Sequence, residues 1–590
     1  MGQYTIRTRN LSRRSVLKWG AAAAAAPVAA GAAVRQGMDR PGATPFAMQT
    51  PHPELESATV ADLRVALDSR RLSVRELTQA YLARIEAIDR SGPTLNSIME
   101  INPDALALAD ALDAELRDGG PRGPMHGIPV LLKDNIDTAD GMLTTAGSLA
   151  LMNSRPKHDA TVARNLRNAG ALILGKTTLS EWANFRSTRA SSGWSGRGGQ
   201  CRNPYALDRS PCGSSSGSPA AVAAGLTAIG IGTETDGSIV CPSSANSVVG
   251  IKPTVGLTSR AGVVPISHSQ DTIGPHGRTV ADAAAALGAM VGVDPRDPMT
   301  AESEGQGQTD YTQFLDPNGL RGMRIGVPRT GSFWGYSNAA DAIGEAAIRT
   351  MREAGAEIID PADLPSAEEM GESSAEFDVL LWEFKADLNA YLAERGDPAM
   401  RTLEDLIRFN EEHASEEMPY FLQEIFHMSQ EKGPLTDPAY LEALATSHRL
   451  SRDEGLDAVM TQHNLDALVA PTGGPPWMVD VVNGDLFLGA SSGPAAMAGY
   501  PLVCVPAGYT FGLPVGISFM GRAWSEPTLI RIAYAFEQAA NIRQPPRYLM
   551  PPTGLPPAAL PGLQAAGLPP EGTPVAEAAT PGATPAGMVH

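Results

Sequence analysis

The sequence predicts an α/β fold, and three observations carry that expectation. Helix-period and strand-type patterns alternate along much of the chain. The strand candidates are short apolar runs without polar alternation, as in strands covered on both faces. The length, 590 residues, is more than one small core organises, so a large sheet enzyme or several domains are expected.

Taken in order, residues 36–55 read as a linker, and Thr59 to about Ser91 as helical. There Ser73-Val74-Arg75-Glu76 is a capping box, Leu77, Tyr81, Ile85 and Ile88 share one face, and Gly92 is a stop. A second helix spans about Pro103 to Leu116. Gly127 to Leu132 is an apolar strand, followed by a helix near 161–168 and a strand at Ala171–Leu174. Residues 187–218 are dense in Ser, Gly and Arg, with Pro204 and Pro211, and predict a long functional loop. The helix Pro219–Gly225 leads into the strand Leu226–Gly232. Strands at Arg324–Val327 and Ala356–Ile359 bracket the helix Ala339–Ala354, and residues 370–455 read as a helical, acidic lobe. Strands return at Ala467–Ala470, Leu502–Val505 and Gly516–Phe519, and the helix Thr528–Ala540 closes the fold. The last 40 residues hold ten prolines and no periodic apolar pattern, so the tail from 549 to 590 is expected to be disordered.

The first 35 residues read as an address. Ser12-Arg13-Arg14-Ser15-Val16-Leu17-Lys18 is a twin-arginine pattern, and the Ala-rich stretch after it contains Ala30-Gly31-Ala32, a cleavage-type triplet. The stretch is too short and too weakly apolar for a membrane span. Export by the twin-arginine route to the periplasm or beyond is expected, with no stable membrane anchor after cleavage. The net charge is −19 and no basic run is extended, which argues against nucleic acid as a partner. The four cysteines stand at 201, 212, 241 and 504, without C-x-x-C pairs or a His-rich cluster, so no metal site is expected. A Cys201–Cys212 bridge would fit, since both flank one loop, but free buried thiols are the favoured reading.

Two motif matches fail on context. Gly170-Ala-Leu-Ile-Leu-Gly175-Lys176-Thr177 has the spacing of a phosphate loop, yet a helix precedes it and its middle is strand material. Gly213-Ser214-Ser215-Ser216-Gly217 has the spacing of a nucleophile elbow, yet a Pro-containing polar loop leads into it instead of a strand.

A third arrangement passes the same test. Ser214 and Ser238 lie in Gly-rich turns 24 positions apart, and Lys133 ends the apolar run Val130-Leu131-Leu132 about eighty residues upstream. A lysine acts as a base only when neutral, and burial at the end of an apolar strand would depress its pKa. Strand alternation turns Asp134 away from the amine. Ser214 is placed to bridge the lysine and a nucleophile, and backbone N–H groups around Thr235, Asp236, Gly237 and Ser238 are placed to hold an oxyanion. Read bare, these are a strand-end lysine and two loop serines.

The strings G-I-P-V-L-L-K-D-N-I, the serine-rich loop and G-T-E-T-D-G-S-I together resemble the amidase signature family, from about residue 58 to 545. The resemblance implies a large mixed β-sheet flanked by helices on both faces within an amidase domain at 56–548, and no metal or cofactor. It implies a Ser–Ser–Lys triad: Ser238 the acylated nucleophile, Ser214 the bridging serine beside a cis peptide, and Lys133 the general base. Many members carry two glycines before the nucleophile and an arginine two residues after it. This chain has Asp236-Gly237-Ser238-Ile239-Val240, and with I-S-H-S-Q-D-T-I-G-P, L-L-W-E-F-K-A-D-L and F-M-G-R-A-W-S-E-P it looks like the peptide amidase branch, whose substrates are C-terminal peptide amides. The other readings are a glutamine-hydrolysing amidotransferase component, which the export signal and acidic charge oppose, and a catalytically inactive amide-binding protein.

Overall fold

The computed structural model describes residues 43–550; the expected signal at 1–35 and the tail beyond 550 lie outside the described residues. Eleven strands form one sheet. In chain order they are β1 (Ile98–Ile101), β2 (Pro129–Lys133), β3 (Leu172–Thr177), β4 (Ile229–Glu234), β5 (Val249–Lys252), β6 (Thr272–Gly277), β7 (Arg324–Gly326), β8 (Glu357–Ile359), β9 (Ala467–Pro471), β10 (Leu502–Thr510) and β11 (Leu513–Met520). Their spatial order is β8-β7-β9-β11-β10-β5-β6-β4-β2-β3-β1. The β8–β7–β9 and β4–β2–β3 runs are parallel and the remaining pairings antiparallel, so the sheet is mixed.

Helices cover both faces, which explains the unalternating apolar strands. In β10, Val503 and Val505 join a core with the helices Asn338–Glu353 and Glu526–Ala540, while Leu502 and Cys504 join a different core that includes Val240 and Leu456. In β4, Ile229 and Ile231 pack into the N-terminal core. Gly230 and Gly232 point the other way, where added Cβ atoms would lie 2.9 Å from the Ser218 carbonyl oxygen and 2.7 Å from Ser215 Oγ. The glycines let the serine-rich segment and the helix it opens, α1 (Gly217–Ala223), lie directly on the strand.

The expected helix from Thr59 to Ser91 is two helices, Val60–Asp68 and Val74–Arg84, with a π-helical extension over Ile85–Arg90. The capping box at Ser73 marks the start of the second, since its hydroxyl accepts from the Glu76 N–H. The phosphate-loop match is strand: Lys176 is fully buried in β3 and donates to the Ile136 carbonyl and to Thr144 Oγ1, each at 2.7 Å. The cysteine reading is corrected as well. Cys212 pairs with Cys241, 29 residues away, and Cys201 and Cys504 are free and buried. Proximity along the chain misled here, because the turn after β4 brings Cys241 back onto the serine-rich loop.

Residues 370–455 contain the helices α2 (Ala375–Arg395), Leu403–Glu412, Glu424–Gln430 and Pro438–His448. The first three share a core with Leu151, Trp182 and Phe185 of the central body. No described helix is long and apolar enough to cross a membrane.

Candidate active site

Strands β3, β2 and β4 run in one direction, so Thr177, Lys133 and Glu234 end side by side at one edge of the sheet. The crevice outside the carboxyl ends of parallel strands is the usual place for a ligand in such folds. Lys133 is completely buried there. Its Nζ lies 2.7 Å from Ser214 Oγ, 2.8 Å from Thr233 Oγ1 and 3.3 Å from the Thr233 carbonyl oxygen. Burial pulls its pKa from 10.5 down to about 7, with Asp271 and Glu234 opposing the shift. A neutral amine has two N–H donors and one lone pair. The two oxygens of Thr233 can take the donors, which leaves the lone pair for the Ser214 proton. Asn135 Nδ2 donates to Thr233 Oγ1 at 3.0 Å and so fixes that hydroxyl. Asp134 points to the other face, where it accepts from the Thr145 N–H at 3.2 Å and pairs with Arg197.

Ser214 follows a cis peptide bond to Gly213, in line with the resemblance. Its carbonyl accepts from the Ser180 N–H at 3.0 Å. A Cβ on Gly213 would lie 2.2 Å from Ser180 Oγ, so only glycine fits between the two loops. Ser215 has a structural position: its Oγ donates to the Thr233 carbonyl at 3.0 Å and accepts from the Thr233 N–H at 3.2 Å. Its own N–H donates to the Ser238 carbonyl at 3.3 Å, joining the two serine loops.

Ser238 sits in the turn after β4, 9 % exposed. Among the described residues its hydroxyl has no hydrogen-bond partner, so Lys133 and Ser214 are joined directly while the Ser238 hydroxyl is unbonded. Catalytic hydrogen bonds are commonly loose in free enzymes and tighten once substrate is bound. The backbone N–H groups of Thr235, Asp236, Gly237 and Ser238 donate to no acceptor among the described residues. The next two N–H groups, of Ile239 and Val240, both donate to Glu234 Oε2, at 2.7 and 3.0 Å. One buried carboxylate thus holds the start of the helix Val240–Ala245 and leaves the preceding turn with unused donors. Thr235 Oγ1 donates to Asp271 Oδ1 at 2.6 Å, and burial lifts the Asp271 carboxyl to about 6.

The helical segment reaches this site. Glu376, in the first turn of α2, accepts from Gln270 Nε2 at 2.9 Å, and its carboxyl is raised by burial and by the nearby charge of Asp236. Asp236 is solvent-exposed and Glu376 half-buried, so the helical segment sets an acid near the one that stands two residues before Ser238. The segment is fastened by His268, whose Nδ1 lies 2.9 Å from Asp387, and by Glu383, which accepts from Ser269 and Tyr440. His268, Glu383 and Asp387 are close enough to hold a metal ion, but these protein donors already occupy their oxygens and the group acts as a clasp.

Sequence reasoning named Lys133, Ser214, Ser238 and the turn before Ser238, and missed Thr233, Asn135, Glu234 and Asp271. Asn135 had a signal: two positions after Lys133, strand periodicity puts it on the same side. Thr233 and Glu234 stand in the same string as the nucleophile candidate. Nothing local marks Asp271.

Comparison with known proteins places the chain in a family. The amidase family model matches residues 76–530, and a twin-arginine translocation signal model matches residues 10–30. The chain is therefore exported by that route. A native peptide amidase from Stenotrophomonas maltophilia superposes with a TM-score of 0.79 at 52% identity, covering 83% of this chain and 98% of that one. A probable amidase of Arabidopsis thaliana is 45% identical over 502 residues, 84% of this chain and 92% of its own length. A glutamyl-tRNA(Gln) amidotransferase component of Halorhodospira halophila is 34% identical, over 82% of this chain and 98% of its own.

Proposed function

The chain belongs to the amidase family and hydrolyses amide C–N bonds, and from that premise we propose that it acts on C-terminal carboxamides of peptides, through Ser238, Ser214 and Lys133, releasing ammonia. The observation that carries the triad is the 2.7 Å contact between a fully buried Lys133 amine, brought to about 7, and Ser214 Oγ. In this reading Ser214 passes its proton to Lys133 and takes one from Ser238 as Ser238 attacks the amide carbonyl. The unused N–H donors of residues 235–238 receive the developing oxyanion. The proton returns through Ser214 to the leaving ammonia, and water then cleaves the acyl-enzyme.

The peptide amide substrate is supported by the likeness to the Stenotrophomonas enzyme. The test is a panel of peptide amides, aliphatic amides, glutamine and esters, read by ammonia or alcohol release. Peptide amides are expected to have the highest kcat/KM, and a preference for glutamine would overturn the substrate assignment. In purified Ser238→Ala, turnover is expected to vanish; undiminished turnover would overturn the triad.

A further inference from the structure

We propose that the Cys212–Cys241 disulfide positions the two catalytic serines, and that the enzyme is therefore latent in the reducing cytoplasm and reaches full activity only after export. The proposal rests on the triad of the preceding section. Cys212 stands two residues before Ser214 and Cys241 three residues after Ser238, with a Cα–Cα separation of 6.1 Å. The covalent link thus joins the two turns that carry the hydroxyls.

Each cysteine is tightly coupled to its serine. The Cys212 carbonyl accepts from Ser216 Oγ at 2.7 Å and its N–H donates to Ser210 Oγ at 3.1 Å, so the turn through Gly213 and Ser214 moves with it. The Cys241 N–H donates to the Gly237 carbonyl at 2.8 Å, which ties it to the residue before Ser238. Without the bridge, the direct link between the serine turns is the 3.3 Å bond from Ser215 to Ser238. Farther out, Asn246 Nδ2 donates to the Pro211 carbonyl at 2.8 Å. Lys133 is held by Thr233, and Ser214 also accepts from the Ser180 N–H, contacts that do not pass through the bridge. Reduction therefore removes the covalent tie between the two turns and leaves their relative position to the Ser215 bond and to Glu234, which holds Ile239 and Val240, so the Ser238 and Ser214 hydroxyls shift relative to each other.

The chemistry is accessible and its timing follows from the route. Cys241 is only half-buried, under Cys212, Ala245 and Trp477, while Cys201 and Cys504 are fully enclosed and offer no competing thiol. A chain carrying a twin-arginine signal folds where thiols stay reduced and arrives where disulfides persist. On arrival the Cys212 and Cys241 thiols lose two protons and two electrons and form the S–S bond. The electrons pass to a disulfide-bearing thiol oxidant of that compartment, which leaves as a dithiol.

The test equilibrates the full-length enzyme in dithiol–disulfide buffers of graded potential and measures kcat and KM on a peptide amide. Alkylation and mass spectrometry of the same samples give the fraction of Cys212–Cys241 bridged. Reduction is expected to lower kcat by about 10- to 100-fold, the scale of an ångström-level misplacement, with KM nearly unchanged, native circular dichroism retained, and recovery on reoxidation. Cys241→Ser is expected to be fixed at the low kcat and to ignore potential, and Cys201→Ser to respond as wild type. Protein retained in the cytoplasm is expected to carry both thiols free and to gain activity on oxidation in vitro. Equal kcat in the bridged and reduced forms, or a loss of activity only in step with loss of native structure, overturns the proposal. A serine-directed phosphonate separates the two readings. Labelling at Ser238 in the oxidised enzyme with no effect of reduction refutes the positioning role and leaves the triad standing. No label at Ser238 in the oxidised enzyme refutes the triad, and this proposal with it.

Discussion

Replacing Lys133 by methionine should abolish activity and at the same time stabilise the fold at neutral pH. A free lysine titrates at 10.5 and this one at about 7. Burying it therefore costs about 4 kcal/mol at pH 7 relative to a group that need not be charged. Methionine removes that cost but leaves Ser214 Oγ and the oxygens of Thr233 without their partner, a loss of about 1–3 kcal/mol. The net gain for Lys133→Met at pH 7 is then ~1–3 kcal/mol. Its pH dependence is the sharper signature. Between about 7 and 10.5 the unfolded chain holds the lysine proton and the folded chain does not, so wild-type stability rises relative to the variant by ~1.4 kcal/mol per pH unit. Below about 7 both states are protonated and the difference is level. The variant's advantage should shrink through this window and vanish near pH ~9. Urea denaturation of both proteins at half-unit steps from pH 6 to 9.5 measures it, and the difference cancels the contributions of Lys176 and Lys252, which are also depressed by burial. A stability difference that does not change with pH would mean that Lys133 titrates at its ordinary value, and the case for it as a neutral base would fail.

Two further outcomes follow from contacts around the site. Glu234→Ala leaves the buried N–H groups of Ile239 and Val240 without an acceptor, costing about 1–3 kcal/mol for each and lowering kcat by loosening the turn of Ser238. Glu234→Gln keeps an acceptor oxygen and should restore most of both, as a thermal melt and kcat on one amide will show. The His268 clasp should weaken with rising pH. Asp387 and Glu383 hold the imidazole above its ordinary value against burial, which lowers it. Its contribution is therefore complete below about 6.5 and is lost as pH rises through the raised folded value. Protection of the amides in Ala375–Arg395, taken relative to their intrinsic exchange rate at each pH, should fall over that range in wild type and stay level in His268→Gln.

The central strands were legible in the sequence because burial on both faces leaves an unmistakable mark: Pro129–Lys133 is apolar up to its last residue and lies within two positions of the expected run. Three strands carried no such mark. In β6, Thr-Ile-Gly-Pro-His-Gly, the proline argues against a central strand. It is tolerated because β5 pairs with β6 only at His276 and Gly277, so Pro275 meets no ladder on that side. Strand β5 is four residues long and contains a glycine, and β1 lies at the sheet edge with a partly exposed pattern. The Lys133–Ser214 pair was readable from an apolar run ending in lysine and from a glycine-rich serine turn. The disulfide was not, since its geometry depends on how the turn after β4 folds back, which no local pattern encodes. The same holds for Asp271, whose tie to Thr235 joins separate strands.

The helical segment between β8 and β9 has a consequence of its own. The sheet, the amine and both serines come from outside this segment, while Glu376 is brought near Asp236 by it, fastened by Gln270 and His268. Machinery and selectivity are thus divided between two stretches of chain with different constraints. Substitutions at Glu376 therefore change the charge beside Asp236 without touching Lys133, Ser214 or Ser238, so the acyl preference of one chemistry can be adjusted from a separate stretch of chain.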